Sequence, residues 1–278
     1  MRKLRISAIS YLNTAPLMWD FEHGQSGADF DVSYTLPSQC AANLRAGSTD
    51  IGIIPAAAYT GMPDLMILPG VAIASRRAVR SILLVSKLPL EKIESVALDT
   101  SSMTSVALTK VLFAKWWGGH RKFVAMAPDI EQMLKQCDAG LVIGDPALKI
   151  DRSRYITYDL AEEWIRLTGK PFVFAFWAIR RAALQDIPHD LDLAALFQES
   201  RDHGLLPQNV NRMGREWALR LGLDEADVRD YLTQNIHYYL DSACLEGLQL
   251  FYQLAGECGA VSSSPPLNFL DVAKAAAI

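Results

Sequence analysis

The sequence predicts an α/β protein of two lobes joined by two strands. Three observations support this. Short β-branched runs alternate with helical stretches in two separate series, one before residue 60 and one between residues 95 and 143. Two long apolar runs, near residues 83 and 176, follow the two series and suit strands buried on both faces. Beyond about Pro188 the pattern is helical. Two α/β units linked by crossing strands are the plan of a hinged protein that takes a ligand between its lobes. The expected division is residues 1–85 plus 178–278 for the first lobe, completed by the C-terminal helices, and 86–177 for the second.

Leu4–Ile9 reads as a strand, and Thr14–Phe21 as a helix with Pro16 in its first turn, where a missing N–H leaves no bond unmade. Asp31–Leu36 is a second strand, Pro37–Ala46 a helix closed by Gly47, and Asp50–Ile54 a third strand. This β-α-β-α-β order implies parallel pairing with right-handed crossovers, which gathers loops at the C-terminal ends of the strands. Leu65–Ala74 and Ser81–Ser86 are extended runs. Strand Ser95–Leu98, helix Met103–Trp117, strand Lys122–Ala125, helix Asp129–Cys137 and strand Gly140–Ile143 form the second series. A helix Asp159–Thr168 stopped by Gly169 precedes the apolar strand Pro171–Ile179. Helices are expected at Leu191–Asp202, Gln208–Leu221, Glu225–Gln234 and Ile236–Leu254, then a Ser/Pro loop Val261–Pro266 and a final short helix.

Composition narrows the function classes. Half the residues are apolar and 21% charged, enough for a sizeable core and incompatible with general disorder. Lys and Arg number 27 against 31 Asp and Glu, a net charge of −4, so neither nucleic acid nor an anionic membrane surface is an expected partner. No run of eighteen apolar residues exists to span a bilayer. Cys40, Cys137, Cys244 and Cys258 form no C-x-x-C pair, which predicts neither a disulfide framework nor a zinc site and fits a reducing cytosol. The basic start Met1–Ser10 lacks the apolar stretch and cleavage site of an export signal, so a cytoplasmic location is expected.

Five segments could carry chemistry. Ser10-Tyr11-Leu12-Asn13-Thr14 ends the first strand just before a helix, where hydroxyl and amide side chains and free N–H groups favour an anion; plain helix capping suits the same residue types. Pro55 and Ala56, with small neighbours at the end of the third strand, permit close approach of a ligand to backbone. Asp99-Thr-Ser-Ser102-Met-Thr104-Ser105 is a hydroxyl-rich helix start suited to a carboxylate through Ser102, Thr104 and Ser105, and it has no P-loop pattern. Arg76-Arg77-Ala-Val-Arg80-Ser81 enters the first crossing strand, and Arg80, nearest the hinge, is a candidate partner for a carboxylate. Gly144-Asp145-Pro146 puts a carboxylate at the rim of the second lobe, where Asp145 serves as acid, base or hydroxyl acceptor, or simply as a turn residue. His23, His120, His189, His203 and His237 lie outside all five segments. G-x-S-x-G, H-E-x-x-H and G-x-G-x-x-G are absent, which removes support for a serine hydrolase, a zincin or a nicotinamide enzyme.

At Ser10-Tyr-Leu-Asn-Thr, Asp50-Ile-Gly-Ile-Ile-Pro, Asp99-Thr-Ser-Ser-x-Thr-Ser, Gly144-Asp-Pro-Ala-Leu and Glu162-Glu-Trp-x-x-x-Thr-Gly-x-Pro-Phe-Val-Phe-Ala, the chain resembles the menaquinone-biosynthesis enzymes of the futalosine pathway. The likeness covers roughly residues 4–255 in the expected order. It implies a two-lobed fold like that of the type 2 periplasmic solute-binding proteins, used as a cytoplasmic enzyme. Within the family the Gly-Asp-Pro-Ala-Leu pattern resembles the branch that removes water from chorismate, a cyclic dicarboxylate, to give 3-[(1-carboxyvinyl)oxy]benzoate. The sister branch, which cleaves cyclic dehypoxanthine futalosine, carries a histidine base at that strand end, and this chain has none. The resemblance implies no cofactor and no metal, since an aromatic product drives the reaction. It implies that Asn13 orients or polarises the leaving hydroxyl, that Ser10, Tyr11, Thr14, Thr104 and Ser105 bind the substrate, and that Ser81 or Ser86 assists. For the base, Asp145 and the substrate's own enolpyruvyl carboxylate both stand. A binding-only protein and a ligand-sensing regulatory domain are the other function classes; the first would usually carry an export signal, the second a basic helix-turn-helix segment.

Overall fold

The structure, a computed structural model, describes residues 2–24, 30–188, 191–262 and 265–270. His189 and the short helix expected at the C-terminus lie outside them. The chain runs β1 (Leu4–Ile9), a 3₁₀ turn Leu12–Met18 continued by α1 (Trp19–His23), β2 (Phe30–Thr35), α2 (Pro37–Ala46), β3 (Ile51–Pro55), α3 (Ala56–Tyr59) and β4 (Leu65–Ser75). Next come β5 (Ile82–Ser86), β6 (Ser95–Asp99), α4 (Thr104–Leu112), β7 (Lys122–Met126), α5 (Ile130–Gln136), β8 (Ala139–Ile143), α6 (Asp145–Leu148), β9 (Ile156–Asp159) and α7 (Leu160–Thr168). The chain returns as β10 (Phe172–Arg180), then α8 (Leu193–Gly204), α9 (Pro207–Leu221), α10 (Glu225–Asp230), a π-helical turn Tyr231–Asn235 and α11 (Ser242–Glu257).

Two five-stranded sheets result, in the orders β2-β1-β3-β10-β4 and β7-β6-β8-β5-β9. They share one plan: β1 pairs in parallel with β2 and β3, β6 with β7 and β8, and the crossing strand enters each sheet antiparallel. Ile82–Ser86 pairs along its whole length with β8 and β9, and Phe172–Arg180 with β3 and β4. The chain therefore changes lobe between Ser75 and Ile82 and again between Thr168 and Phe172, not at 85/86 and 177/178, because a ladder holds a strand in one sheet from end to end. Behind the cleft the lobes share apolar packing. Trp164 of α7 meets Phe172 edge-on at 5.2 Å and Phe251 of α11 at 6.2 Å, so the second crossing is buried in aromatic contacts.

The sequence misplaces the last helix, which begins at Ser242 rather than Ile236. His237 instead exchanges backbone bonds of 2.8 and 2.9 Å with Ala74, and Asp241 caps α11 by accepting from the Cys244 amide at 3.0 Å. Strand β9 and the short α3 are also additions. Among the described residues no helix is long and apolar enough to cross a membrane.

At the pole of the first lobe away from the cleft, Asp50 joins β1 to β3. Its carboxylate is buried and accepts from Arg2 Nη1 at 2.6 Å, Arg5 Nε at 3.0 Å and the Arg5 amide at 2.9 Å. Burial alone would raise its pKa, but the two guanidiniums outweigh it and hold the carboxyl well below the usual range. A depressed folded value contributes stability above the ordinary carboxylate pKa, and that contribution is lost as the pH falls through the folded value. Asp50→Asn is therefore expected to cost about 2 kcal/mol at pH 7, with half-exposed arginines tempering the loss, and the gap to the native chain should close below about pH 4. Urea unfolding at several pH values checks this.

Candidate active site

The C-terminal ends of β1 and β3 face those of β6 and β8, as parallel βαβ units dictate. After β1, Tyr11 is extended and no side chain caps the 3₁₀ turn that starts at Leu12, so the polar groups of Ser10, Asn13 and Thr14 are not consumed as caps. The Leu12 amide is taken from across the cleft: Asp145 Oδ1 accepts it at 2.9 Å. Three more bonds span the lobes. Ser38 N donates to Ser101 O at 3.0 Å, and the Thr104 hydroxyl accepts from Ala57 N at 3.1 Å while donating to Phe174 O at 3.0 Å. Gly144 has φ +66°, and a Cβ there would run into the Tyr11 ring, so glycine is required for both conformation and contact.

These bonds enclose a cavity of about 50 Å³. Of the residues singled out in the sequence, Tyr11, Asn13, Pro55, Ser102, Thr104, Ser105 and Gly144 line it, together with apolar walls not singled out there: Ile9, Pro37, Ile73, Ile82, Ile143, Phe174 and Ala175. Pockets for small molecules usually measure about 300–1,000 Å³, so with the lobes together this space is narrow for a ring-sized ligand. Hydroxyls and the first amides of α4 supply donors to one side, although Ser102 Oγ already accepts from Ser105 N at 3.2 Å. Among the described residues no Lys or Arg lines the cavity. Ser10 and Thr14 instead face an adjoining space of about 190 Å³, shared with Tyr11, Glu22, Tyr34, Trp217 and Arg220.

The remaining expected residues are distributed unevenly. Ser81 sits directly behind the cavity: its carbonyl accepts from Gly144 N at 2.8 Å and its hydroxyl from Tyr231 at 2.8 Å. Ser86 is at the far end of β5, roughly 16 Å away at the usual strand rise, where it donates to Asp138 O at 3.0 Å and accepts from Leu88 N at 2.9 Å. Arg80 is likewise removed from the cavity. The Asp159 carboxylate holds the Val79 and Arg80 amides at 3.1 and 2.7 Å, and the Arg80 guanidinium reaches out to Asp227 at 3.5 Å. Ala56 is buried beneath the wall, its carbonyl accepting from Tyr252 at 2.7 Å. Cys40 is also buried, its thiol donating to Ser7 O. Asp145 itself turns to Leu12 rather than lining the cavity.

Among the described residues no histidine lines the cavity. The cluster His237, Asp241 and Cys244 brings three donor atoms within 4.8 Å of one another, but outside the cleft. Arg76 and His237 already occupy Asp241 Oδ2, at 2.5 and 2.7 Å, and burial pushes the Cys244 thiol up to about 12, so the group acts as an ion-paired helix cap. Tyr231 is the polar neighbour of the site that the sequence gives no signal for. It follows Ser81 by 150 residues, and only the return of the C-terminal helices to the hinge brings the two together.

Two α/β lobes, each with one antiparallel crossing strand and meeting at a small polar-rimmed cavity, define a fold of the periplasmic-binding type. An alkanesulfonate-binding protein of Xanthomonas axonopodis pv. citri superposes with a TM-score of 0.66 at 18% identity, covering 99% of this chain and 98% of its own. A protein of Archaeoglobus fulgidus gives 0.72 at 18% identity, covering 93% and 98%. In sequence, a chorismate dehydratase of Thermus thermophilus is 29% identical over 274 residues, 92% of this chain and 96% of the relative. The sequence model of the menaquinone biosynthesis family matches residues 4–257, and the chain belongs to that family.

Burial pushes the Asp145 carboxyl up to about 6, opposed by the Leu12 amide and the charges of Arg220 and Lys149. A raised folded value means that its stability contribution is present below the ordinary value of about 4 and is lost as the pH rises through about 6. Asp145→Asn keeps an oxygen for Leu12 and carries no charge. Relative to the native chain it is expected to gain roughly 2 kcal/mol between pH 4 and 7. Thermal melting across that range checks the sign, and parallel curves would refute it.

Proposed function

We propose that this chain is a cytoplasmic hydro-lyase that removes water from chorismate to give 3-[(1-carboxyvinyl)oxy]benzoate. The observation that carries this reading is one inter-lobe cavity that brings together Asn13, the hydroxyl-lined start of α4 and apolar walls. Membership of the menaquinone biosynthesis family and likeness to a chorismate dehydratase support it.

In the reaction a ring C–H bond and the C–O bond of the hydroxyl break, water leaves, and the ring becomes aromatic. The amides and hydroxyls at the start of α4 would take one carboxylate, where a helix N-terminus favours negative charge. The Ser10–Thr14 loop would serve the other. Asn13 would polarise the departing hydroxyl, with Ser81 beside it. Asp145 is engaged by Leu12, which leaves the substrate's enolpyruvyl carboxylate as the better-placed base. Substrate entry requires the lobes to part, and closure would then exclude water and fix the geometry. The sister reaction lacks its histidine in this cavity, and Gly144-Asp145 stands at the corresponding strand end.

Purified protein incubated with chorismate should lose the diene absorbance and yield the aromatic product. Asn13→Ala should fold and turn over about a hundredfold more slowly. Near-native turnover in that variant would remove Asn13 from the mechanism. Binding without conversion would make this a binding protein, and conversion of cyclic dehypoxanthine futalosine would assign the sister reaction.

A further inference from the structure

Tyr231 is fully buried and heads a π-helical turn, Tyr231–Asn235, closed by the Ile236 amide on the Tyr231 carbonyl at 3.3 Å. Such turns are rare and concentrate at functional sites. This one grips the first crossing between the lobes at three points. Ser75 Oγ donates to Asn235 O at 2.9 Å, Asn235 Nδ2 donates to Ala78 O at 2.9 Å, and the Tyr231 hydroxyl donates to Ser81 Oγ at 2.8 Å. The Tyr231 hydroxyl also adjoins the Asn13 side chain, so it stands between the two groups assigned to the departing hydroxyl.

A serine hydroxyl has one proton and two lone pairs. With one lone pair occupied by Tyr231 and its carbonyl held by Gly144, Ser81 has its oxygen fixed and its proton turned away from the phenol. Burial raises the phenol's pKa far above physiological pH, so it remains a donor throughout.

We propose that Tyr231 is a positioning residue for the dehydration: its hydroxyl orients the Ser81 O–H toward the oxygen that leaves the substrate. The phenol touches no reacting atom and acts through Ser81. This role rests on the dehydratase reading.

Tyr231→Phe keeps the ring and removes the donor. We expect its kcat on chorismate to fall about tenfold or more, the loss of one oriented hydrogen bond, with KM changed less than about threefold. In a Ser81→Ala background the same substitution should lower kcat by less than about twofold, since a group acting through Ser81 has nothing left to orient. A native kcat in Tyr231→Phe, or an equal loss in both backgrounds, would overturn the role. Melting curves establish that each variant is folded at the assay temperature. If the phenylalanine variant is not, Tyr231→His, a smaller ring with an N–H donor, replaces it; its turnover should exceed that of Ser81→Ala, and turnover at or below that level would count against the proposal. No turnover by the native chain would overturn the dehydratase reading and this role together, whereas native turnover unaffected at Tyr231 would overturn this role alone.

Discussion

Among the described residues the chain passes between the lobes twice, and the two passages determine where every other part can be. They are built from different materials. The first, between Ser75 and Ile82, is held by polar bonds: Asp159 clamps the Val79 and Arg80 amides, and the π-helical turn binds Ser75, Ala78 and Ser81. Arg80 is the one non-glycine residue with positive φ among those described, a conformation that persists only where surrounding bonds impose it. The second passage is held by aromatic packing of Trp164, Phe172 and Phe251, and by a close approach of α11 in which Gly247 leaves room for the Pro171 carbonyl. Directional bonds on one side and close-packed rings on the other fix an axis about which the lobes meet.

The cleft that this axis closes is neutral. Among the described residues no Lys or Arg lines the cavity, and Arg220 lies beyond Tyr11 in the neighbouring space. Binding of a dianion would rest on hydroxyls and on the amides that begin α4, groups whose dipoles are already oriented. Asp145 stays outside that lining: its carboxylate accepts the Leu12 amide from the facing lobe, a bond that favours its charged form, while burial raises its pKa to about 6.

Much of this is legible in the order of residues, and the failures have physical causes. The loops at 10–14, 102–105 and 144–145 are predictable because a β-α-β order places strand ends, and so their polar residues, at one edge. The lobe boundaries are not, because Ile82–Ser86 and Phe172–Arg180 are apolar enough to fit either sheet, and only their ladders decide. Ser81 and Ser86 bracket the same strand, and nothing local distinguishes the end that faces the cleft. Arg80 has the right chemistry for a carboxylate, but Asp159 fixes its backbone in a turn from which the side chain reaches outward. Tyr231 is illegible for the opposite reason, since its role depends on a contact between remote parts of the chain.

The narrow cavity has a consequence for timing. A space of about 50 Å³ gives a ring little room to enter or leave while the lobes are together. Under the proposed reaction each catalytic cycle must therefore include one complete opening and reclosing, and the interval between successive products cannot be shorter than that mechanical stroke. The bonds that span the cleft, from Asp145 to Leu12, from Ser101 to Ser38 and from Thr104 to Ala57 and Phe174, are then also the escapement of the enzyme: their strength sets how often the cleft lets go.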